Sequence, residues 1–151
     1  MSLSFNLSLP TVRETASEKC TAPEDVVRQF AELKHAAQEC FVAITCNTKN
    51  QIIDKHLISL GTLNASLAHP REIFRSAITD SAASLIVAHN HPSGDPTPSS
   101  EDIRLTRRIV EAGEILGIHV LDHIVIGRKS SDHSSEYISL RESGLVEFNR
   151  G

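Results

Sequence analysis

The spacing of apolar residues changes rhythm repeatedly along this chain. Val26, Val27, Phe30, Ala31 and Leu33 recur at helical spacing after Thr21-Ala22-Pro23-Glu24, which reads as a capping box with proline in the first turn. They predict a helix running to about Lys34 that covers a sheet. Phe41 to Thr45, Asn47-Thr48-Lys49-Asn50, and Ile52 to Leu60 read as a strand, a turn and a returning strand. Pro70 fits the first turn of a second helix, with Ile73, Phe74, Ala77 and Ile78 on its apolar side. The unbroken run Leu85 to Ala88 is what a central strand covered on both faces looks like. A third helix opens at Ser99 or Ser100, turns Leu105, Ile109, Ala112 and Leu116 inward, and is closed by Gly117. Val120 to Ile126 forms another strand and Tyr137 to Leu140 a short last one. Near the start, Phe5, Leu7 and Leu9 alternate as an edge strand that Pro10 ends.

Strands alternating with helices predict one α/β domain over residues 1–151. The net charge of −4 supplies no basic field for phosphates, so direct nucleic-acid binding is not expected. No apolar window reaches the roughly 18 residues of a membrane span, and no charged-then-apolar leader is present, so a cytoplasmic location is expected. Cys20, Cys40 and Cys46 fit a reduced compartment. Cys40 and Cys46 share parity with Val42 and Ile44, which puts them on the buried face of one strand. A cysteine metal site is the alternative.

Chemistry concentrates between His89 and Asp102, H-N-H-P-S-G-D-P-T-P-S-S-E-D. In extended backbone, residues i and i+2 point to the same side, so His89 and His91 can face one point. Pro92, Gly94, Pro96 and Pro98 exclude helix or ladder strand and free the loop to return Asp102 to that point. Stepping back from Leu105 and Ile109 puts Asp102 at the buried end of the helical stripe, where an uncoordinated carboxylate is costly. Two imidazoles and a carboxylate, with room for water, are the ligand set of a catalytic zinc site. A second reading stands beside it: Ser99-x-x-Asp102 as a plain helix cap.

The spacing H-x-H-x7-S-x2-D, in His89, His91, Ser99 and Asp102, resembles the JAMM motif of MPN-type zinc metalloproteases. Gly61-Thr62-Leu63-Asn64, His69-Pro70-Arg71-Glu72, His89 to Gly94, and Asp122 to Gly127 resemble, in order, the RadC family of JAMM-domain proteins, across about residues 22 to 145. The resemblance implies a three-layer α-β-α sandwich with a mixed sheet, cytidine-deaminase-like in architecture. It implies a Zn2+-dependent hydrolase of peptide or isopeptide bonds acting on a peptide or protein, with His89, His91 and Asp102 as ligands. Ser99 would then donate a hydrogen bond to the water or the developing oxyanion. The family also carries a DNA-repair association. Full-length relatives usually bear an N-terminal helix-hairpin-helix region, which the stretch before Thr21 is too short to hold.

The resemblance further implies a glutamate five residues before Gly61, to take the proton from water. His56 stands there, Asp54 shares its side of the strand, and no glutamate occurs between Cys40 and Arg71. Three readings follow. His56 is itself the base; or it is an extra ligand that closes the open position, leaving a catalytically silent binding module; or it lies at the mouth and leaves the proton to Asp54 or to nothing. His123, beside Asp122, either orients a ligand from behind the ion or is a satisfied strand-end histidine. Asn90 and Glu72 are expected to brace the backbone around the site.

Overall fold

The computed structural model describes residues 18–61 and 69–148. The strand expected at Phe5 to Leu9, and Thr62 to Asn64 of the Gly-Thr motif, lie outside these residues. Five strands form a mixed sheet in the order β2-β1-β3-β4-β5. In chain order they are β1 (Cys40–Cys46), β2 (Ile52–Leu60), β3 (Ser84–Asn90), β4 (His119–Ile126) and β5 (Tyr137–Ser139). The helices are α1 (Pro23–Gln29), continued by a 3-10 turn over Ala31–His35, then α2 (Pro70–Thr79) and α3 (Ser100–Leu116). β3 runs antiparallel to β1 and parallel to β4. The parallel step needs a long crossover, and α3 supplies it.

Every residue of β3 is buried, as the apolar run Leu85 to Ala88 predicts, and every residue of β1 is buried as well. Alternate residues serve two cores. Phe41, Ala43, Leu85 and Val87 pack with Ile73 and Phe74 of α2 and Leu105 and Ile109 of α3. Cys40, Val42, Ile44, Cys46, Ile86 and Ala88 pack with Val26, Phe30 and Leu33 from the α1 side. The shared parity of Cys40 and Cys46 is therefore as expected, and all three cysteines are free thiols. Among the described residues no helix is long and apolar enough to cross a membrane.

Several local expectations differ from the structure, among them Ala31, which is exposed. The cap of α1 is not Thr21 with Glu24: the Asp25 carboxylate reaches back to accept from the Thr21 and Ala22 amides, at 3.0 and 3.1 Å. Ile78 and Leu116, expected inward, are 58% and 48% exposed. Both lie in the last turn of their helix; Ala77 takes the inner side of α2 there, and Thr106 and Val110 take up the inner side of α3.

One irregularity in β4 positions a key side chain. Leu85 pairs with Val120 but Ile86 with Asp122, so Leu121 is an extra, bulged residue. Val120 faces the α2/α3 core; beyond the bulge, so does Val125. Ile124 and Ile126 face the other core. His123 thereby turns to the same side as His89. The Asp122 carboxylate pins the bulge, accepting from the His123 amide at 2.7 Å, the Arg141 amide at 3.1 Å and the Ser139 hydroxyl at 2.5 Å.

Candidate metal centre

β3 delivers His89 at the middle of the sheet, opposite Phe41 of β1. The His91 amide donates to the Ile126 carbonyl at 2.9 Å, which carries the strand direction past the end of β3 and keeps both imidazoles on one side. The loop that follows is strapped to the end of β4. The Arg128 amide donates to the Gly94 carbonyl at 2.7 Å. The Arg128 guanidinium donates to the carbonyls of Pro92 and Lys34 at 3.1 and 2.7 Å. A Cβ on Gly127 would stand 2.2 Å from the Gly94 oxygen, so glycine there is what lets the two segments touch. The loop then hands over to α3 through a reciprocal cap. The Ser99 hydroxyl oxygen accepts from the Asp102 amide at 3.0 Å, and Asp102 Oδ2 accepts from the Ser99 amide at 2.9 Å. The cap and the inward carboxylate are thus one feature rather than two alternatives.

His89 Nε2 is the hub. It lies 3.1 Å from His91 Nε2, 3.4 Å from Asp102 Oδ1 and 3.8 Å from Glu39 Oε1, while Asp102 Oδ2 is 3.2 Å from His91 Nε2. Glu39 stands just ahead of β1, with the parity of Phe41 and Ala43, on the face that carries His89. His91 Nδ1 donates to the Asp95 carbonyl at 2.8 Å, which turns its Nε2 toward the cluster. Burial opposes ionisation of Asp102, yet both imidazoles and the Ser99 amide outweigh it and hold the carboxyl far below its ordinary value. Glu39 goes the other way: burial pushes its carboxyl up, Asp102 adds to this, and His89 and His91 pull against it. Burial lowers the His91 pKa, but the Asp102 carboxylate and the Asp95 carbonyl more than reverse it, so the net shift is upward. Four side chains with electron pairs to offer therefore converge on one point, and Asp102 is the one held firmly in its charged form. Around a tetrahedral ion with zinc-like bond lengths, ligand atoms lie about 3.3 Å apart. His89, His91 and Asp102 fit that spacing, and the mixed nitrogen and oxygen set suits a divalent cation.

A family model described as the RadC-like JAB domain matches residues 20–145. This chain belongs to that family. Among its relatives, a UPF0758 protein of Desulforamulus reducens is 54% identical over 125 residues, covering 82% of this chain and 52% of its own length. One from Caldanaerobacter subterraneus subsp. tengcongensis is 48% identical over 147 residues, covering 97% and 60%. One from Methanosarcina mazei is 44% identical over 140 residues, covering 92% and 58%. The chain spans a little over half the length of these relatives.

In this RadC-like JAB domain the structure brings His89, His91 and Asp102 together, with Ser99 capping the helix beside them. It does not bring His56 or Asp54 to them. β2 is the edge strand, one strand farther out, and His56 pairs with Ala43 rather than with a residue at the site. Its Nε2 lies 2.6 Å from Asp80 Oδ2, which also accepts from the Thr45 hydroxyl at 2.7 Å. Asp54 is 4.0 Å from His56 and largely exposed. Asp80 caps the C-terminus of α2, where the helix dipole disfavours an anion; His56 and Thr45 offset that penalty. Strand order thus keeps His56, expected as a base or a further ligand, in a separate group with Asp54 and Asp80. The glutamate carboxylate that does reach the cluster is that of Glu39, one residue upstream of the stretch in which a glutamate was sought. A lone acidic residue directly before a mostly apolar strand, with the parity of Phe41 and Ala43, was the signal available for it.

His123 lies behind His89. Its Nε2 is 2.7 Å from His89 Nδ1, its Nδ1 is 2.6 Å from the Thr106 hydroxyl, and it is fully buried. Phe41 walls both rings, parallel to His89 with centroids 5.9 Å apart and edge-on to His123 at 5.5 Å.

Proposed function

We propose that this RadC-like JAB domain is a zinc-dependent hydrolase of peptide or isopeptide bonds, with His89, His91 and Asp102 as ligands and Glu39 as general base. The observation that carries this reading is the Glu39 carboxylate, 3.8 Å from His89 Nε2 and edging a cluster whose other three donors pack more closely. A base must lie beside the open side of the ion rather than close it. Held there, a divalent cation supplies Lewis acidity, lowering the pKa of water toward about 7 and polarising an amide carbonyl. Glu39 takes the proton from the attacking water and returns it to the leaving amine. The Ser99 oxygen already accepts from the Asp102 amide, which leaves its own proton to donate to the developing oxyanion. Packing of helices against both faces of the sheet supports the three-layer, cytidine-deaminase-like architecture as part of the same reading.

The test compares the wild type with Glu39→Gln and His89→Ala, by zinc analysis and by cleavage of a pool of fluorogenic peptides. Zinc at about one ion per chain is expected in the wild type and Glu39→Gln and not in His89→Ala. Cleavage should fall 10²–10⁴-fold in Glu39→Gln, the usual loss with a general base. Equal cleavage by wild type and Glu39→Gln overturns the role of Glu39, and zinc retained in His89→Ala overturns the ligand set. The silent-module reading drew on the missing glutamate at His56, and Glu39 removes that motive.

A further inference from the structure

We infer that Thr106 and His123 form a buried relay that sets the tautomer of His89, so that its Nε2 faces the cation site as a bare electron pair. The inference rests on the metal-site reading above for its purpose, but not for its geometry. Thr106 has one hydroxyl proton and two close partners, the Asp102 carbonyl at 2.7 Å and His123 Nδ1 at 2.6 Å. Both contacts are hydrogen bonds only if Thr106 donates to the carbonyl and accepts from His123 Nδ1–H. A neutral His123 protonated at Nδ1 carries its lone pair on Nε2. That nitrogen lies 2.7 Å from His89 Nδ1, which must then be the donor. With its proton on Nδ1, His89 presents an unprotonated Nε2 to His91, Asp102 and Glu39.

The opposite wiring is available to the same atoms. If Thr106 donated to His123 Nδ1, the proton of His123 would sit on Nε2 and point at His89 Nδ1. His89 Nε2 would then carry a proton and could not ligate. The Asp102 carbonyl tips the choice by giving the hydroxyl proton another place to go. Among the described residues no carboxylate touches either ring nitrogen of His123, so nothing else competes for its protons.

The two imidazoles are therefore set by different means. His91 is oriented locally, by the Asp95 carbonyl of its own loop. His89 is set through a third ring and the same helix that brings in Asp102, four residues before Thr106. The bulge at Leu121 makes this possible by turning His123 to the ligand face. Thr106 and His123 touch neither the cation site nor a substrate, and both are positioning residues. Loss of such partners typically weakens metal affinity 10–100-fold.

Two measurements on the full chain test this. Long-range proton–nitrogen NMR of metal-free wild type at neutral pH reads the tautomers directly, and both His89 and His123 are expected as Nδ1–H. Either ring found as Nε2–H, or His123 found doubly protonated, overturns the inference. Zinc affinity by chelator competition is then compared across Thr106→Val and Thr106→Ser. Valine should weaken binding 10–100-fold and shift the tautomer of His123, whereas serine, which keeps the hydroxyl, should restore both. Binding by Thr106→Val equal to wild type overturns the relay. Should Thr106→Val fail to fold, the wild-type spectrum still decides. Correct tautomers in a chain that takes up no zinc would sink the metal reading while leaving the relay standing.

Discussion

Asn90 grips the backbone on either side of Glu39. Its Oδ1 accepts from the Cys40 amide at 2.7 Å and its Nδ2 donates to the Gln38 carbonyl at 3.0 Å. Asn90 sits between His89 and His91 but faces the other side of β3, so one strand holds the imidazoles with one face and the carboxylate's backbone with the other. Asn90→Ala removes both of those hydrogen bonds, and a buried backbone group left unmatched costs about 1–3 kcal/mol. Urea unfolding should show that loss. Zinc content should be kept while cleavage falls, because the carboxylate is displaced and the ligands are not. Equal losses of zinc and cleavage would show that Asn90 supports the whole site rather than Glu39.

Metal removal offers a thermodynamic check. An ion bound only by the folded chain at a free concentration of about 100 times its Kd adds about 2.7 kcal/mol to stability. Chelator should therefore lower the melting temperature of wild type and leave His89→Ala unmoved. A chelator effect of the same size in both would place the ion elsewhere.

Gly127→Ala probes the strap on the ligand loop. The added methyl would fall 2.2 Å from the Gly94 carbonyl oxygen, which is backbone and cannot swing away. The loop must shift and carry the His91 ring with it. Zinc affinity, read by chelator competition, should drop while circular dichroism stays that of a folded chain. Unchanged affinity would mean that the loop does not set the position of His91.

His56→Ala separates the edge strand from the site. The change removes one hydrogen bond to Asp80, worth about 1 kcal/mol net. Thermal unfolding should register that small loss, with zinc content and cleavage unchanged. A large fall in cleavage at full stability would return His56 to the chemistry.

Burial pushes the Cys20 thiol up to about 12, helped by Cys46 and Asp25, and the Cys46 thiol up to about 11. At pH 8 iodoacetamide should leave both untouched until the chain unfolds, and mass spectrometry reads this directly. The sign for stability follows from proton binding. Unfolded thiols ionise near about 8.5, so between roughly pH 8.5 and 11 the folded chain holds more protons. Stability from these two groups is complete below that window and declines as pH rises through it. Urea midpoints that rise across the window would contradict the burial of these thiols.

Much of this site was legible because its parts are local. The alternation of an extended strand puts His89 and His91 on one side. The three-residue step of a helix cap ties Ser99 to Asp102, and a left-handed Gly117 with φ of 73° ends α3 where the pattern stops. Such features depend on backbone geometry over a few residues, which residue type and spacing determine. The rest was decided by which strand lies beside which. Glu39 is fifty residues from His89, and only the pairing of Phe41 with His89 makes them neighbours. Regular alternation from Val120 would have turned His123 away, and the one extra residue at Leu121 reverses it. His56 has the right chemistry on a strand one place too far out, and the end of α2 takes it instead. Strand order, bulges and helix ends are settled by competition among whole surfaces for burial, and no short window of sequence carries that outcome.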